Sequence, residues 1–324
     1  MARTISFASF NLYNLQAVGK SVYGTKVSQA AYDDKINWTR HTLEKIDTDV
    51  IAFQELWSTS CLKDVFRSET LSDYSLHYIK GSWRGIAVAL AVRKPWRVKA
   101  EGLTVIKNLP FSQLIKVDEN DDEDDEVSVA INRFSRSIIK ATIEHSQHTN
   151  IKDITVFACH LKAKLPSKVN NISNQYQNAI GAAVSTIRRT AEAAALRMLL
   201  TDHLSSGVKP TVVLGDLNDD PSSNTLAIIT EQPNMSLSAR GGNTSLYSAL
   251  QLQQLKSYKD IFYTHDYKNH KDVIDHILVS EEFFANSSRA KWKHKETKIW
   301  NDFIDDDGAY SSDHGLIKAE FKHT

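Results

Sequence analysis

The chain has 324 residues, of which 41% are hydrophobic, so it can fold around a full core and is unlike a disordered chain. Lysine plus arginine and aspartate plus glutamate each number 39, so no net basic charge points to a nucleic-acid partner. A metal-containing cleft can nevertheless be locally positive on a neutral protein. Two cysteines, Cys61 and Cys159, exclude a disulfide scaffold.

The first ten residues lack the continuous apolar stretch of a signal peptide, and no other run is long and apolar enough to span a membrane. We therefore expect a soluble cytoplasmic protein, or a secreted one if a leader has been removed. The oligomeric state is left open by the sequence.

Strands and helices are predicted to alternate along the chain. Apolar alternation or β-branched runs predict strands at residues 4–12, 50–53, 74–79, 85–92, 137–144, 154–158, 211–214, 273–279 and 316–321. Helical spacing predicts helices at residues 33–46 and 178–204. The longer helix is expected to bury one broad apolar face, formed by Ile180, Val184, Ile187, Ala191, Ala195, Met198 and Leu199.

This alternation, without a linker-like shift in composition, predicts one α/β domain over residues 1–324 with more than one sheet. The acidic run at residues 118–126 lies between two predicted strands. A solvated or disordered loop insertion is the better interpretation of such a charge block than a metal or partner site.

Polar residues follow the apolar runs at six places along the chain. They are Asn11, Glu55, His160, Asp216 with Asn218, Asp275, and Asp313 with His314. Taken singly, each has a structural alternative: a turn residue, a solvated charge, a core histidine or a helix cap. Because sites in open α/β sheets form at strand ends, the joint order favours a catalytic site.

The order of these segments resembles the endonuclease/exonuclease/phosphatase superfamily of DNase I-like, metal-dependent phosphodiesterases, from Asn11 to His314. The most specific matches are Gly-Asp-Leu-Asn-Asp-Asp-Pro at residues 215–221 and Ile-Asp-His-Ile-Leu-Val-Ser at residues 274–280. The runs at residues 84–90 and 160–164 look like its bacterial nuclease branch. The resemblance implies a four-layer α/β sandwich, with two mixed β-sheets packed face to face and helices outside.

The resemblance also implies a metal site. Glu55 would be the principal ligand of Mg²⁺, or of Mn²⁺, with Ca²⁺ also possible, and Asn11 and Asp313 would complete or buttress that site. The chemistry agrees, because hard carboxylate oxygens suit these cations and Mg²⁺ keeps water positions open for substrate.

The same resemblance implies the catalytic roles. Asp216 would orient or deprotonate the attacking water, and Asn218 would hold a phosphate oxygen. His314, polarised by Asp275, and His160 would contact the scissile phosphate. A carboxylate can act as general base, and an imidazolium beside a carboxylate is favoured in its charged form. No acid on the strand at residues 85–92 is available to orient His160.

Arg84, Lys162 and Arg189 are candidates for contacts with the substrate phosphates, although an exposed helix charge is the more common role for a residue such as Arg189. The segment at residues 291–295 mixes lysines with Trp292. It could grip a nucleic-acid backbone and stack a base, or contain a half-buried tryptophan among solvated lysines. His276, next to Asp275, is expected to be structural, since neighbours on a strand point to opposite faces.

These residues predict a divalent-metal-dependent nuclease that hydrolyses phosphodiesters, DNA more readily than RNA. The alternatives are an enzyme of the same fold acting on a lipid, as a sphingomyelinase does, or on a small phosphoester, because the fold does not determine the substrate. A non-catalytic scaffold is the weakest alternative, since the catalytic candidates are present.

Overall fold

The computed structural model of the protein describes residues 4–78, 85–111, 114–115, 128–207, 210–236, 238–304 and 310–324. Arg84 and the acidic run at residues 118–126 lie outside the described residues.

Two six-stranded sheets and five α-helices make up the frame. The strands are β1 (Thr4–Leu15), β2 (Val50–Leu56), β3 (Tyr74–Tyr78), β4 (Ala87–Arg93), β5 (Trp96–Asn108), β6 (Arg133–His145), β7 (Ile154–His160), β8 (Thr211–Asp216), β9 (Tyr247–Ser248), β10 (Asp275–Val279), β11 (Trp292–Trp300) and β12 (Leu316–His323). The helices are α1 (Gln29–Ile46), α2 (Thr59–Val65), α3 (Gln177–Ser205), α4 (Asn224–Thr230) and α5 (Ala249–Gln254).

Both sheets are mixed. The first has the order β11-β12-β1-β2-β4-β3, and the second has the order β9-β10-β8-β7-β6-β5. In the first sheet β1 and β2 run parallel while β12 and β4 flank them antiparallel. In the second, β7 and β8 run parallel while β6 and β10 flank them antiparallel. Each sheet therefore has a central parallel pair whose carboxyl ends lie at one edge.

The sheets pack face to face, with helices on both outer faces. Phe7 of the first sheet and Val156 of the second belong to the core between the sheets. Leu43 of α1 packs with Phe53 on the outer face of the first sheet, and Leu196 of α3 packs on the outer face of the second. The predicted four-layer α/β sandwich is thus confirmed, and each large apolar side chain buried in it contributes about 1.5–3 kcal/mol.

Helix α1 starts four residues before the predicted start. The side chain of Ser28 accepts a hydrogen bond from the backbone N–H of Ala31 at 3.2 Å, which caps a mostly exposed first turn. The helix ends at Asp47, whose φ of 50° is left-handed. No helix in the described part of the chain is long and apolar enough to cross a membrane.

The predicted buried face of α3 is largely wrong. Ile180, Val184, Ile187 and Met198 are 41%, 40%, 49% and 44% exposed, whereas Arg189 and Glu192 are buried. The carboxylate of Glu192 accepts hydrogen bonds from the backbone N–H groups of Ser135 at 2.7 Å and Lys162 at 2.9 Å. These bonds turn a polar face of the helix inward, which apolar periodicity cannot reveal.

The sequence prediction missed strands β5 and β11. Most of β5 is exposed, so it lacks apolar alternation. In β11, buried Trp292 and His294 alternate with exposed Lys293 and Lys295. Trp292 is 1% exposed and stacks on Phe283 with ring centroids 5.7 Å apart, so it is not available to stack a nucleobase.

Candidate active site

The predicted catalytic residues lie together at one edge of the sandwich. Asn11 and Glu55 lie on the parallel strands β1 and β2, and His160 and Asp216 end the parallel strands β7 and β8. Asp216 is the register partner of both His160 and Asp275, which begins β10. Two sheets therefore deliver their polar strand ends to one place, as expected for α/β sheets.

Gly215 allows β7 and β8 to approach closely beside the site. Its φ is 155°, and a Cβ atom there would lie 2.1 Å from the carbonyl oxygen of Cys159. Only glycine fits this position without moving a strand. Cys159 itself points into the outer core, and burial raises the pKa of its thiol, so it is an inert core residue.

Asp216 lies at the centre of the site. Its Oδ2 accepts a hydrogen bond from Asn11 Nδ2 at 3.0 Å, and its Oδ1 accepts one from the backbone N–H of Asn218 at 2.9 Å. Burial and the nearby Asp275 carboxylate raise the pKa of Asp216 to about 7, although the charge of His314 opposes this shift. A carboxylate with this pKa can accept a proton near neutral pH.

His314 forms a charged pair with Asp275. The ring Nδ1 lies 2.8 Å from Asp275 Oδ2, and both side chains are buried. Burial alone would lower the pKa of His314, but Asp275 first and Asp216 next outweigh it and raise the pKa to about 10. We therefore assign a proton to both ring nitrogens at neutral pH.

The second nitrogen of His314 faces the centre of the site. Nε2 lies 4.0 Å from Asp216 Oδ2 and 3.4 Å from Asn11 Nδ2. Because a protonated Nε2 and an amide nitrogen are both donors, the shorter contact is not a hydrogen bond. Both donors converge on the Asp216 side of the site, where an anionic oxygen would be stabilised.

The loop that carries Asp313 and His314 is fixed to β1 by Ser312. Its hydroxyl donates to the carbonyl oxygen of Asn11 at 2.7 Å and accepts from the backbone N–H of His314 at 3.0 Å. This pair of bonds fixes His314 relative to Asn11, so the two parts of the site, distant in sequence, are held together.

His160 is a neutral member of the site. Burial, with the positive charges of Arg136 and His314, lowers its pKa well below the usual value. Its Nε2 lies 3.4 Å from Asp216 Oδ2, and its buried Nδ1 has no hydrogen-bond partner among the described residues. The missing partner agrees with the absence of an acid on strand β4.

Glu55 has a left-handed backbone, with a φ of 58°, at the register shift between Phe53 and Leu56 of β2. Its Oε2 accepts a hydrogen bond from the backbone N–H of Asn14 at 3.1 Å. Burial, opposed by the positive charge of His314, raises the pKa of Glu55, and nearby Asp313 raises it further. The carboxylates of Glu55 and Asp313 are therefore near enough to repel each other electrostatically, and a cation would relieve that repulsion.

The donor set fits a hard divalent cation. Asp313 Oδ1 and Asp275 Oδ1 are buried without a partner among the described residues, and a metal ion could satisfy such oxygens. Ligand atoms of Asp216, Asp275 and His314 lie within 4.8 Å of one another, and so do those of His265, Asp313 and His314. Since a protonated His314 cannot be a ligand, the carboxylates are the better candidates.

Asn218 and His276 brace the strand ends around Asp216. Asn218 has a left-handed φ of 56°, and its Nδ2 donates to the carbonyl oxygen of Leu161 at 3.2 Å. His276 is buried, and its Nε2 lies 2.8 Å from the carbonyl oxygen of Asp219, so it donates to that oxygen. His276 thus has the structural contacts that strand alternation predicts.

The two described basic candidates have different surroundings. Lys162 Nζ lies 3.3 Å from the carbonyl oxygens of Ala163 and Leu165, so it remains near the cleft without an acidic side chain in these contacts. Arg189 is buried, and its guanidinium contacts Asp219 at 3.2 Å and the carbonyl oxygen of Lys162 at 3.4 Å. These contacts hold the segments around Lys162 and Asp219 in place. Direct contact between Arg189 and a phosphate stays a prediction.

Three residues beside the site were missed by the sequence prediction. Arg136 lies close enough to Glu55 and His160 to lower the pKa of each. The ring of His265 lies 4.8 Å from that of His314, and Lys35 Nζ donates to the carbonyl oxygen of Ser311 at 2.8 Å. None of the three belongs to a recognisable motif, because strand register and helix docking bring them here.

The sequence and the fold were compared with known proteins. No curated protein sequence matches this chain. The sequence model of the Endonuclease/Exonuclease/phosphatase family matches residues 8–314. A solved structure from this family, from Bacteroides thetaiotaomicron, is 14% identical, covers 100% of this chain and 96% of its own, and has a TM-score of 0.57.

Two structures with names of their own are equally similar in fold. The catalytic domain of human Nocturnin is 14% identical, with coverage of 99% of this chain and 95% of its own and a TM-score of 0.58. A mannosyl-6-phosphatase from Bacteroides thetaiotaomicron is 14% identical, with coverage of 98% and 99% and a TM-score of 0.56. At these identities the likeness concerns the fold.

The family match spans nearly the whole chain and includes every residue of the candidate site from Asn11 to His314. The mixed double sheet and the strand-end carboxylates and imidazoles agree with it. The chain therefore belongs to the Endonuclease/Exonuclease/phosphatase family and is a phosphoester hydrolase.

Proposed function

We propose that this protein is a divalent-metal-dependent nuclease that hydrolyses phosphodiester bonds of DNA. The observation that carries the proposal is the pairing of Asp216 with His314 across 4.0 Å. The pKa of Asp216 is about 7 and that of His314 is about 10, so near neutral pH one group can accept a proton while the other remains a cation.

In this proposal Glu55 and Asp313 hold Mg²⁺ or Mn²⁺, and Asn11 supports them from β1. When bound, the ion would screen the negative charge that develops on the phosphate during hydrolysis. The electrostatic interaction of Glu55 with Asp313, and the Asp313 oxygen that has no partner among the described residues, support this assignment, because hard cations prefer carboxylate oxygens.

The chain's own residues carry out the proton transfer and the binding of the phosphate. Asp216 Oδ2 accepts a proton of the attacking water, while Asn11 Nδ2 holds that carboxylate in place. The water oxygen bonds to phosphorus as the bond to the leaving oxygen breaks, and the leaving oxygen takes a proton from solvent. His314 Nε2–H donates to a non-bridging oxygen of the phosphate, and Asp275 keeps the ring charged. His160 and Asn218 line the same strand ends and supply neutral donors to the phosphate oxygens.

Nucleic acid is the substrate class that the cleft charges favour. Lys162 and Arg136 line a cavity beside the catalytic edge, although the whole chain has no net charge. Such a local concentration of positive charge attracts a polyanion. We propose DNA before RNA, and the test below includes both.

A lipid phosphodiester is a second candidate because aromatic side chains are exposed near the site. Phe262 and Tyr267 are 74% and 57% exposed. His265, two residues before Tyr267, forms an isolated backbone β-bridge with His314. Exposed aromatic side chains can enter a membrane interface. This surface was not expected from the sequence.

The deciding experiment is digestion of supercoiled plasmid with Mg²⁺ or Mn²⁺, with EDTA and the His314→Ala variant as controls. Single-stranded RNA, sphingomyelin vesicles and a sugar phosphate are assayed in parallel. Nicking that disappears in both controls is the expected result. Hydrolysis of vesicles without nicking would favour the lipid candidate, and inactivity on both nucleic acids would contradict the nuclease proposal.

A further inference from the structure

A cavity of about 460 Å³ lies beside the catalytic edge. Its lining includes Tyr23, Trp57, Arg136, Lys162 and Arg188. The volume lies within the range of about 300–1,000 Å³ found for small-molecule sites. None of the catalytic roles assigned above uses its aromatic side chains, so the cavity calls for a separate explanation.

One wall of the cavity is a preformed aromatic platform. Trp57 Nε1 donates to Asn14 Oδ1 at 2.9 Å, and the ring of Tyr23 stands edge-on to Trp57 at 5.9 Å. The ring of Trp57 also packs beside Gly85, where an added Cβ would lie 3.5 Å away. A ring held by a hydrogen bond and by packing loses little conformational freedom when a ligand stacks on it.

The facing wall is basic. Arg188 is paired with Glu192 at 3.2 Å, so its charge is largely balanced. The side chains of Arg136 and Lys162 bond instead to backbone carbonyl oxygens, at 3.4 Å to Leu161 and 3.3 Å to Leu165. Carbonyl oxygens do not neutralise a cation, so this wall has positive charge to offer an anion.

Both walls are tied to the catalytic residues. Asn14 links the aromatic wall to Glu55. Its side chain accepts a hydrogen bond from Trp57, and its backbone N–H donates one to Glu55 at 3.1 Å. On the other wall, Lys162 follows His160 closely in sequence, and Arg136 is near enough to influence the pKa of His160. A ligand in the cavity would therefore be adjacent to the scissile phosphate.

We propose that this cavity binds the nucleoside next to the scissile phosphodiester, with its base against Tyr23 and Trp57 and its second phosphate at Arg136 and Lys162. The proposal rests on the proposed nuclease function and specifies the substrate further. It implies that the protein recognises an aromatic base joined to a second phosphate. Sequence preference is expected to be weak, because every base has a face that can stack.

The test is isothermal titration calorimetry with thymidine 3′,5′-bisphosphate, thymidine and ribose 5-phosphate, in EDTA to prevent hydrolysis. We expect the bisphosphate to bind at least about tenfold more tightly than either partial ligand, because only it fills both walls. Trp57→Ala and Lys162→Gln should each weaken it by at least about tenfold. Lys152→Gln, an exposed lysine preceding β7 at the other end of the sheet, is the matched control.

Equal affinity for the bisphosphate and ribose 5-phosphate would overturn the stacking of a base. Wild-type affinity in both Trp57→Ala and Lys162→Gln would place the ligand elsewhere and overturn the cavity assignment. Tyr23→Ala and Arg136→Gln repeat the test if either first variant fails to fold. Since binding is measured without turnover, an inactive protein that still binds the bisphosphate would contradict the nuclease function but leave the recognition of a base and a phosphate by this cavity supported.

Discussion

The two ends of the β-sandwich are both rich in charge but organise it differently. At the end away from the site, Asp49 accepts hydrogen bonds from the backbone N–H of Ser6 at 2.8 Å and from Arg93 at 2.9 Å. Arg93 also contacts Asp47, and Lys318 donates to the carbonyl oxygen of Ile46 at 2.9 Å. Each charge there has a partner of opposite sign or a backbone group.

At the catalytic end, charges of the same sign are held together. Asp216 and Asp275 are register partners and both are buried, with His314 as the cation between them. As a result the pKa of Asp216 rises to about 7, and one oxygen of Asp275 has no partner among the described residues. Charge pairing thus stabilises one end, whereas repulsion at the other end supports the proton transfer and cation binding that we propose there.

The largest expected effect is the difference in activity between a variant at the catalytic end and a variant at the opposite end. His314→Ala should lower kcat/KM on a phosphodiester by at least about a hundredfold, because it removes the cation beside the phosphate. Arg93→Ala should leave turnover close to wild type and lower the free energy of unfolding by about 1 kcal/mol, since its ion pairs are partly exposed. Steady-state kinetics and urea denaturation of both variants measure this. Similar activity losses in the two variants would remove the distinction.

The next prediction concerns the backbone that brings the charges together. Gly215→Ala should destabilise the protein by about 1–3 kcal/mol and reduce activity, because the new Cβ would push β7 and β8 apart where His160 and Asp216 end them. Gly207→Ala is the control, since Gly207 also has a positive φ, of 105°, but no atom of the described residues beyond its chain neighbours lies within 4 Å of its added Cβ. Thermal unfolding and kcat should change clearly more in Gly215→Ala, and equal changes would count against close strand approach as the cause.

The charge imbalance also predicts a pH profile. The rate should rise with pH until Asp216 is ionised, at about 7, and fall above about 10, where His314 loses its proton. The exposed His270 serves as a control, because His270→Gln should leave the profile unchanged. A value of kcat/KM that stays constant from about pH 5 to pH 7 would exclude Asp216 as the base.

The last prediction concerns the pH dependence of stability, which a buried histidine outside the site should influence. Burial and the nearby Lys256 lower the pKa of His294 to about 3, whereas an unfolded histidine has a pKa of about 6.5. The unfolded state therefore takes up the proton first, and stability falls as pH decreases from about 6.5 towards 3. At about pH 5 the cost is about 2 kcal/mol. His294→Gln should flatten this dependence in denaturant titrations, and an unchanged slope would show that other groups cause it.

Sequence patterns predicted the frame and most of the candidate site because strand ends have a simple geometry. A polar residue directly after an apolar strand, such as His160 or Asp216, must lie at the edge of a sheet. Once the two pairs of parallel strands are recognised, the meeting of their carboxyl ends can be predicted without any knowledge of side-chain packing. The site residues and the fold were therefore accessible together.

Sequence patterns failed where polar contacts decide the packing. The inward face of α3 contains Glu192, which bonds to two backbone N–H groups from β6 and the segment after β7, while apolar Ile187 faces solvent. Trp292 has lysines on both sides in sequence, yet it is buried because side chains alternate along a strand. The basic wall at Arg136 depends on β6 lying beside β7, a long-range pairing without a local signal.

The most direct test of the central claim is Mn²⁺ binding, followed by electron paramagnetic resonance, by the wild type and by Glu55→Gln. Plasmid cleavage is measured on the same samples. We expect the wild type to bind Mn²⁺ and cleave DNA, and Glu55→Gln to lose both, because the substitution removes the carboxylate charge and keeps the size of the side chain. Wild-type Mn²⁺ affinity and cleavage in Glu55→Gln would contradict a metal site at this edge of the sandwich.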